Sequence, residues 1–470
     1  MRLPRAGVTA LLALAPSAAA AADGTLNGAA LSPVWMLPFA GILLSIALVP
    51  LTAPAFWHHH FGKTAAFWAL VFLVPFAARF GPALALREVA HTLLAEYLPF
   101  IILLLALYTV AGGIHIRSHL HGTPALNTGI LAAGTVLASL MGTTGAAMLL
   151  IRPLLRANEH RRHKAHAVIF FIFLVANIGG ALTPLGDPPL FLGFLKGVDF
   201  FWTTKAMFWP TLTAAVVLLA LFYVIDRWYF TRRDEGLPGP VDTAPDRITI
   251  EGKVNFLLLL AILGCVLASG MWKPDIEITI YGTTRQLPGL LRDAALLGIA
   301  WASWRLTPRQ VRRAHHFEWG PIVEVAKLFA AIFLTIIPAI AILRAGNEGV
   351  MAPLVAVVSN PSGQPSDPLY FWVTGALSSF LDNAPTYLVF FNLAGADPET
   401  LMGPLGTTLA AISAGAVFMG ANTYIGNAPN FMVKSIAEAR GVRMPGFLGY
   451  MAWSGIILLP LFALLSVLFF

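Results

Sequence analysis

The stretch 139–191 recurs at 379–431, displaced by 240 positions without a gap. Gly180, Ala181, Thr183, Gly186, Pro189 and Phe191 fall on Gly420, Ala421, Thr423, Gly426, Pro429 and Phe431, and Asp187 falls on Asn427. Upstream, Gly142, Thr143 and Thr144 fall on Asp382, Asn383 and Ala384. Both copies are apolar runs broken in mid-course by Gly, Pro, Asn and Asp. A membrane chain accommodates such breaks only where the freed backbone groups face protein or a water-filled cavity. Broken apolar segments at matching places in two halves point to a transporter binding site.

Composition agrees with a membrane setting. The 470 residues are 57% hydrophobic and 11% charged, which excludes a soluble domain. Many runs reach the ~20 apolar residues needed to cross a bilayer. The net charge of +7 reads as an excess of Lys and Arg in cytoplasmic loops, not as a nucleic-acid footprint. The lone Cys265 excludes an intrachain disulfide and a Cys-based metal site. No phosphate-binding loop, dinucleotide fingerprint or nucleophile elbow is present, so transport has to draw on an ion gradient and no cofactor is expected. An intramembrane enzyme is a remote alternative, and it would need a nucleophile or metal cluster near the breaks.

Residues 1–22 have the layout of a signal peptide: Arg2 and Arg5, an apolar run over 8–15, then an Ala-rich tract. An uncleaved anchor helix is the alternative. Crossings are predicted at 33–52, 64–86, 93–114, 166–186, 207–229, 254–272, 288–304, 322–343, 405–426 and 447–470. The stretches 124–155 and 368–393, interrupted near their middles, are predicted to be re-entrant hairpins. Two broken helices run over 166–196 and 405–435. The first half is 33–230 and the second 254–470, joined by a Pro-, Gly- and charge-rich cytoplasmic linker at 231–253. This layout puts Arg156, Arg161, Arg162, Arg305, Arg309, Arg312, Arg313, Arg440 and Arg443 inside, and counting either hairpin as a crossing would break the bias. It also makes the repeat inverted, the first hairpin entering from inside and the second from outside. The fold class is therefore an all-α polytopic membrane protein with about ten crossings, two hairpins and two broken helices.

Gly186-Asp187-Pro188-Pro189 and Asp382-Asn383-Ala384-Pro385 resemble the GDPP and DN-x-P signatures of the ArsB/NhaD superfamily of ion transporters. The run 141–148 and the block 420–431 are similar to NhaD-like sodium:proton antiporters and the neighbouring citrate-transporter family. The resemblance implies the ion-transporter fold: a scaffold part, a transport part, elevator-like alternating access and often a homodimer. The superfamily's carboxylate carriers have hairpin tips resembling Ser-Asn-Thr. Here the tips read Gly142-Thr143-Thr144 and Asp382-Asn383-Ala384.

The residues themselves suggest the chemistry. A buried carboxylate inside a membrane costs several kcal/mol, which makes Asp187 and Asp382 candidate ion-binding groups. Such a group takes up either a proton or a cation. Thr143, Thr144, Thr183, Asn383, Asn422, Thr423 and Asn427 offer hydroxyl and amide oxygens suited to a hard cation such as Na⁺. The competing reading is that these residues cap broken helices. Glu324 and Lys327, three apart on one helix, are read as an intrahelical ion pair, or else as a countercharge or proton relay beside the site. Arg152 is expected to snorkel to the inner surface, with a substrate role if the cargo is an anion. Eleven histidines, among them His58, His59, His60, His115 and His166, are placed in or beside cytoplasmic loops, where protonation would add positive charge. The chain thus reads as a bacterial inner-membrane secondary transporter of small ions, foremost a Na⁺/H⁺ antiporter. The alternatives are an ion-coupled carrier of citrate or another carboxylate, and an arsenite exporter.

Overall fold

The computed structural model describes residues 26–118, 120–232, 248–274, 276–315, 317–360 and 363–470. The signal-peptide segment and residues 233–247 of the linker lie outside the described residues. Helices α1 (Leu37–Thr52) and α2 (Pro54–Phe80) are followed by α3 (Pro82–His91), which continues through a wide turn at Thr92–Tyr97 into α4 (Leu98–Ala111). Strand β1 (His115–Ser118) leads to the first hairpin, α5 (Pro124–Met141) and α6 (Thr143–Ala157). Helix α7 (Ala165–Leu174), a 3-10 turn over Ile178–Leu182 and α8 (Pro188–Leu195) form the first broken helix, and α9 (Phe200–Arg232) follows. After β2 (Ile248–Glu251) come α10 (Val254–Met271), the ribbon β3 (Glu277–Ile280) and β4 (Thr283–Gln286), α11 (Leu287–Leu306), α12 (Arg309–Ala314), α13 (Gly320–Arg344) and α14 (Ala352–Val357). The second hairpin is α15 (Asp367–Ser378) and α16 (Asn383–Leu393), followed by short α17 (Pro398–Met402). The second broken helix is α18 (Gly406–Met419), a turn over Gly420–Asn422 and α19 (Ala428–Ala439), and α20 (Phe447–Phe469) ends the chain.

This is an all-α polytopic membrane protein. Among the described residues nine helices are long and apolar enough to cross a bilayer. Eight of them match expected crossings. Helix α11 falls short because Arg292, Asp293 and Arg305 interrupt it, and α18 has 14 residues. The ninth is α5, which is a hairpin arm. Its base is closed: the Gly122 amide donates to the Ala157 carbonyl at 2.8 Å, and the Asn127 and Asn158 side chains exchange hydrogen bonds at 2.9 and 2.8 Å. Both ends of this 34-residue excursion therefore emerge on one face.

Two boundaries differ from expectation for one reason, a proline at the first helical turn. Pro54 starts α2, so the predicted loop 53–63, with His58, His59 and His60, is helical. Pro82 starts α3 after Gly81 (φ +89°), so the next crossing begins well before residue 93. His115 and His166 are buried, the latter against Asp226, and so are not solvated loop residues.

The helices sort into two groups. Helices α1 to α4, α10, α11 and α13 pack together as a frame, while the hairpins, the broken helices, α9 and α20 form a second bundle. On one face β1 pairs antiparallel with β2, and α6 and α12 pack against β1. Arg117, Arg156, Arg161, Arg312 and Arg440 gather there. On the opposite face the Trp202 indole donates to the Met402 carbonyl at 3.0 Å, beside the base of the second hairpin. The two hairpins therefore enter from opposite faces.

The repeat is visible in hydrogen bonds. The Thr183 hydroxyl donates to the Ser139 carbonyl, and the Thr423 hydroxyl to the Ser379 carbonyl. The amides of Leu185 and Ile425 donate to those threonine oxygens, both at 3.2 Å. Gly186 lies against the Gly180 carbonyl and Gly426 against the Gly420 carbonyl, so closely that any Cβ would collide, which explains Gly186 and Gly426.

Candidate functional site

Four helices, α6, α8, α16 and α19, begin at the centre of the bundle, with Gly142, Asp187, Asp382 and Asn427 as their N-cap residues. Gly142 has φ +82°, a conformation that suits glycine and lets α5 turn directly into α6. Four positive helix ends thus converge on one place.

Asp187 sits among them, 1% exposed. Its Oδ1 accepts from the Thr143 hydroxyl at 3.0 Å and from Asn427 Nδ2 at 3.3 Å, and its Oδ2 accepts from Asn383 Nδ2. Thr143 and Asn383 are repeat equivalents, as are Asp187 and Asn427, so each half contributes one hairpin tip and one broken helix. The Thr143 amide donates to the Gly186 carbonyl at 2.8 Å and docks the first tip on the first break. Among the described residues no Lys or Arg contacts Asp187. Although Asp187 and Asn427 hold N-cap positions, neither side chain caps its helix. Both are spent across the centre. The buried Asn383 Oδ1 has no hydrogen-bond partner and is an oxygen open to a cation.

The capping reading does hold for Asp382, which accepts from the Ala384 amide at 3.1 Å and is only half-buried. Asp382 and Thr144 line a cavity of about 350 Å³ beside Asp187 and Asn427. Thr183 and Thr423 do not line it; they fasten the hairpins, as described above. Asn422 donates to the Ser379 hydroxyl at 2.9 Å and likewise stands behind the site. Glu324 lines the cavity and accepts from the Trp57 indole at 3.1 Å, whereas Lys327 turns over the Phe61 ring, 5.5 Å from its centroid. The expected intrahelical Glu324–Lys327 pair is therefore not formed, because each side chain finds an aromatic partner on α2.

The cavity wall on the frame side comes from Trp57, Leu104, Tyr108, Ile322 and Leu328, all in the half of α2, α4 and α13 nearer the Arg-rich face. The other wall carries the polar groups. Towards the opposite face the frame and the bundle are tied. Lys196, after α8, pairs with Glu96, and Arg344 donates to Asn392 at 2.8 Å. Arg292 lies over the Phe191 ring at 5.7 Å.

Two residues not anticipated from the sequence support the centre. Asn177 Nδ2 donates to Asn430 Oδ1 at 2.7 Å, and Asn430 Nδ2 donates to the Gly420 and Thr423 carbonyls. An asparagine inside the apolar run 165–182 was the available signal.

A search of curated proteins returns no match. A family model described as "Putative citrate transport" matches residues 28–470, nearly the whole chain. The chain therefore belongs to that family.

Proposed function

We propose that the protein is a cation-coupled secondary transporter of citrate or a similar carboxylate, working in a bacterial inner membrane. The observation that carries this reading is Asp187, buried among three donors and four helix ends with no cationic side chain, beside an unpartnered Asn383 oxygen. Burial disfavours the charged carboxylate while donors and helix ends favour it, so Asp187 is suited to exchange a proton or Na⁺. The converging positive helix ends also give a carboxylate cargo a favourable field. The family match supports the cargo class. The division into frame and bundle, with the cavity between them, supports an elevator-like movement of the bundle against the frame.

A second reading, Na⁺/H⁺ exchange within the wider ArsB/NhaD superfamily, is favoured by the cavity lining, where among the described residues Asp187, Asp382 and Glu324 occur without Lys or Arg. The test is flux in proteoliposomes. Labelled citrate should accumulate under an inward Na⁺ or H⁺ gradient, and Asp187→Asn should abolish accumulation. Cation-driven proton movement with no citrate uptake under any gradient would overturn the carboxylate reading in favour of exchange.

A further inference from the structure

A carrier of a multiply charged anion has to recognise that charge, yet among the described residues the cavity lining contains no Lys or Arg. The basic groups lie one step away. On α6, Thr144, Met148, Arg152 and Arg156 follow at four-residue intervals and so share one helix face. Thr144 lines the cavity, and Met148 packs with Tyr108 and Ile322 of the frame. Arg152 and Arg156 continue that face towards the Arg-rich surface. Helix α19 packs alongside α6, and Arg440 at its end acts electrostatically on both Arg152 and Arg156. Arg117 of β1 also acts on Arg156, although it pairs with Glu251 at 3.5 Å. Among the described residues Arg152, Arg156 and Arg440 form no ion pair. The nearby acids are Glu318, within the field of Arg152, and Glu159, within the field of Arg156.

Arg152 decides the matter. Its Nη1 is buried without a hydrogen-bond partner. Arg152 as a whole is half-buried, but this Nη1 is shut off from the surface, where a snorkelling head group would place it. A buried guanidinium donor lacking an acceptor, among like charges, is costly unless an anion completes it.

We propose that Arg152, Arg156 and Arg440 form an anion-docking vestibule that holds a polycarboxylate such as citrate before it passes along the Thr144–Met148 face into the cavity. Guanidinium forks match carboxylates in pairs, so several can share one polycarboxylate. The inference rests on the carboxylate reading above and is tested apart from it.

Citrate binding is measured by calorimetry on the purified full chain in detergent at low ionic strength. Arg152→Gln should weaken binding about ten-fold, the scale of one charge-assisted hydrogen bond. Arg152→Lys should recover part of the loss. Added salt should weaken citrate binding in the parent protein more than in the Arg152→Gln variant. In proteoliposomes, Arg152→Gln should raise the citrate KM with little change in kcat. If Arg152→Gln does not fold, Arg440→Gln, at an exposed position, carries the same test. Unchanged citrate affinity in the folded arginine variants would overturn the proposal. Arginine-dependent binding in a protein that moves no citrate would uphold the vestibule and overturn the carrier reading alone.

Discussion

Two buried aspartates lie in the bundle, and their neutralisation should move stability in different directions. Asp226 of α9 is fully buried and faces Arg161, 1% exposed, at 2.7 Å. His166 Nε2 lies 2.7 Å from the same oxygen, and Asn127 donates to the other at 2.9 Å. Replacing Asp226 by Asn leaves the Arg161 charge buried without its countercharge, a loss of about 3–5 kcal/mol. Asp187 has no cationic partner to strand. Asp187→Asn removes a buried charge, and the Asn383 amide can turn so that its unpartnered oxygen accepts from the new Nδ2. The net change should lie within about 1 kcal/mol of zero or be stabilising. Thermal unfolding of both variants in one detergent, followed by tryptophan fluorescence, reads the difference, and flux is measured in parallel. Asp187→Asn should be stable and inactive, Asp226→Asn markedly less stable. An Asp226→Asn protein as stable as the parent, or equal losses in both variants, would refute the charge-pairing argument.

Other outcomes follow from the geometry. Lys196→Met should release the tie to Glu96 and raise labelling of a Thr144→Cys probe from the face opposite the Arg-rich one. The His115 imidazole is held below its ordinary value by burial first and then by Arg156, with Arg117 and Arg152 adding to the effect and Glu251 opposing it. Because its folded value is depressed, the unfolded chain binds the proton more readily. The contribution of His115 is complete above about pH 6.5 and is lost as pH falls through the folded value. His115→Gln should flatten the dependence of the unfolding midpoint on pH below that point. Single cysteines near Arg440 and Asp397 should be labelled from opposite sides of the membrane, and labelling from the same side would contradict the inverted hairpins.

The centre of the site was legible because each member interrupts an apolar run. Thr143, Asp187, Asn383 and Asn427 sit where Gly and Pro break helices, and a constant shift pairs them. Asn177 and Asn430 escaped because their repeat positions are Val417 and Leu190, so no pairing signal marks them. Asp382 and Asp187 look alike in sequence, since each begins a helix after a break. Only side-chain direction separates the cap from the group spent across the centre. Glu324 and Lys327 have a spacing that suits an ion pair, but Trp57 and Phe61 come from a helix more than 250 residues earlier, and local spacing cannot register them. Asp226 lies near the end of the predicted span 207–229, where nothing in the local sequence marks it as the countercharge of Arg161.

The tie between Lys196 and Glu96 bears on sidedness. At the position 240 residues after Lys196 stands Ile436, so the second broken helix has no lysine in the matching place on the Arg-rich side. If the repeats exchange roles when the bundle moves, most of the hydrogen bonds about the breaks are re-formed in kind and cancel between the two end states. This pair does not cancel. An unloaded carrier then spends most of its time with its binding groups turned to the Arg-rich side, and a ligand arriving from the other side meets a binding-competent form only for the remaining fraction. Its half-saturating concentration there is higher by the inverse of that fraction, although the contacts it finally makes are the same. A difference in apparent affinity between the two sides of one membrane can thus arise from a single lysine far from the cargo.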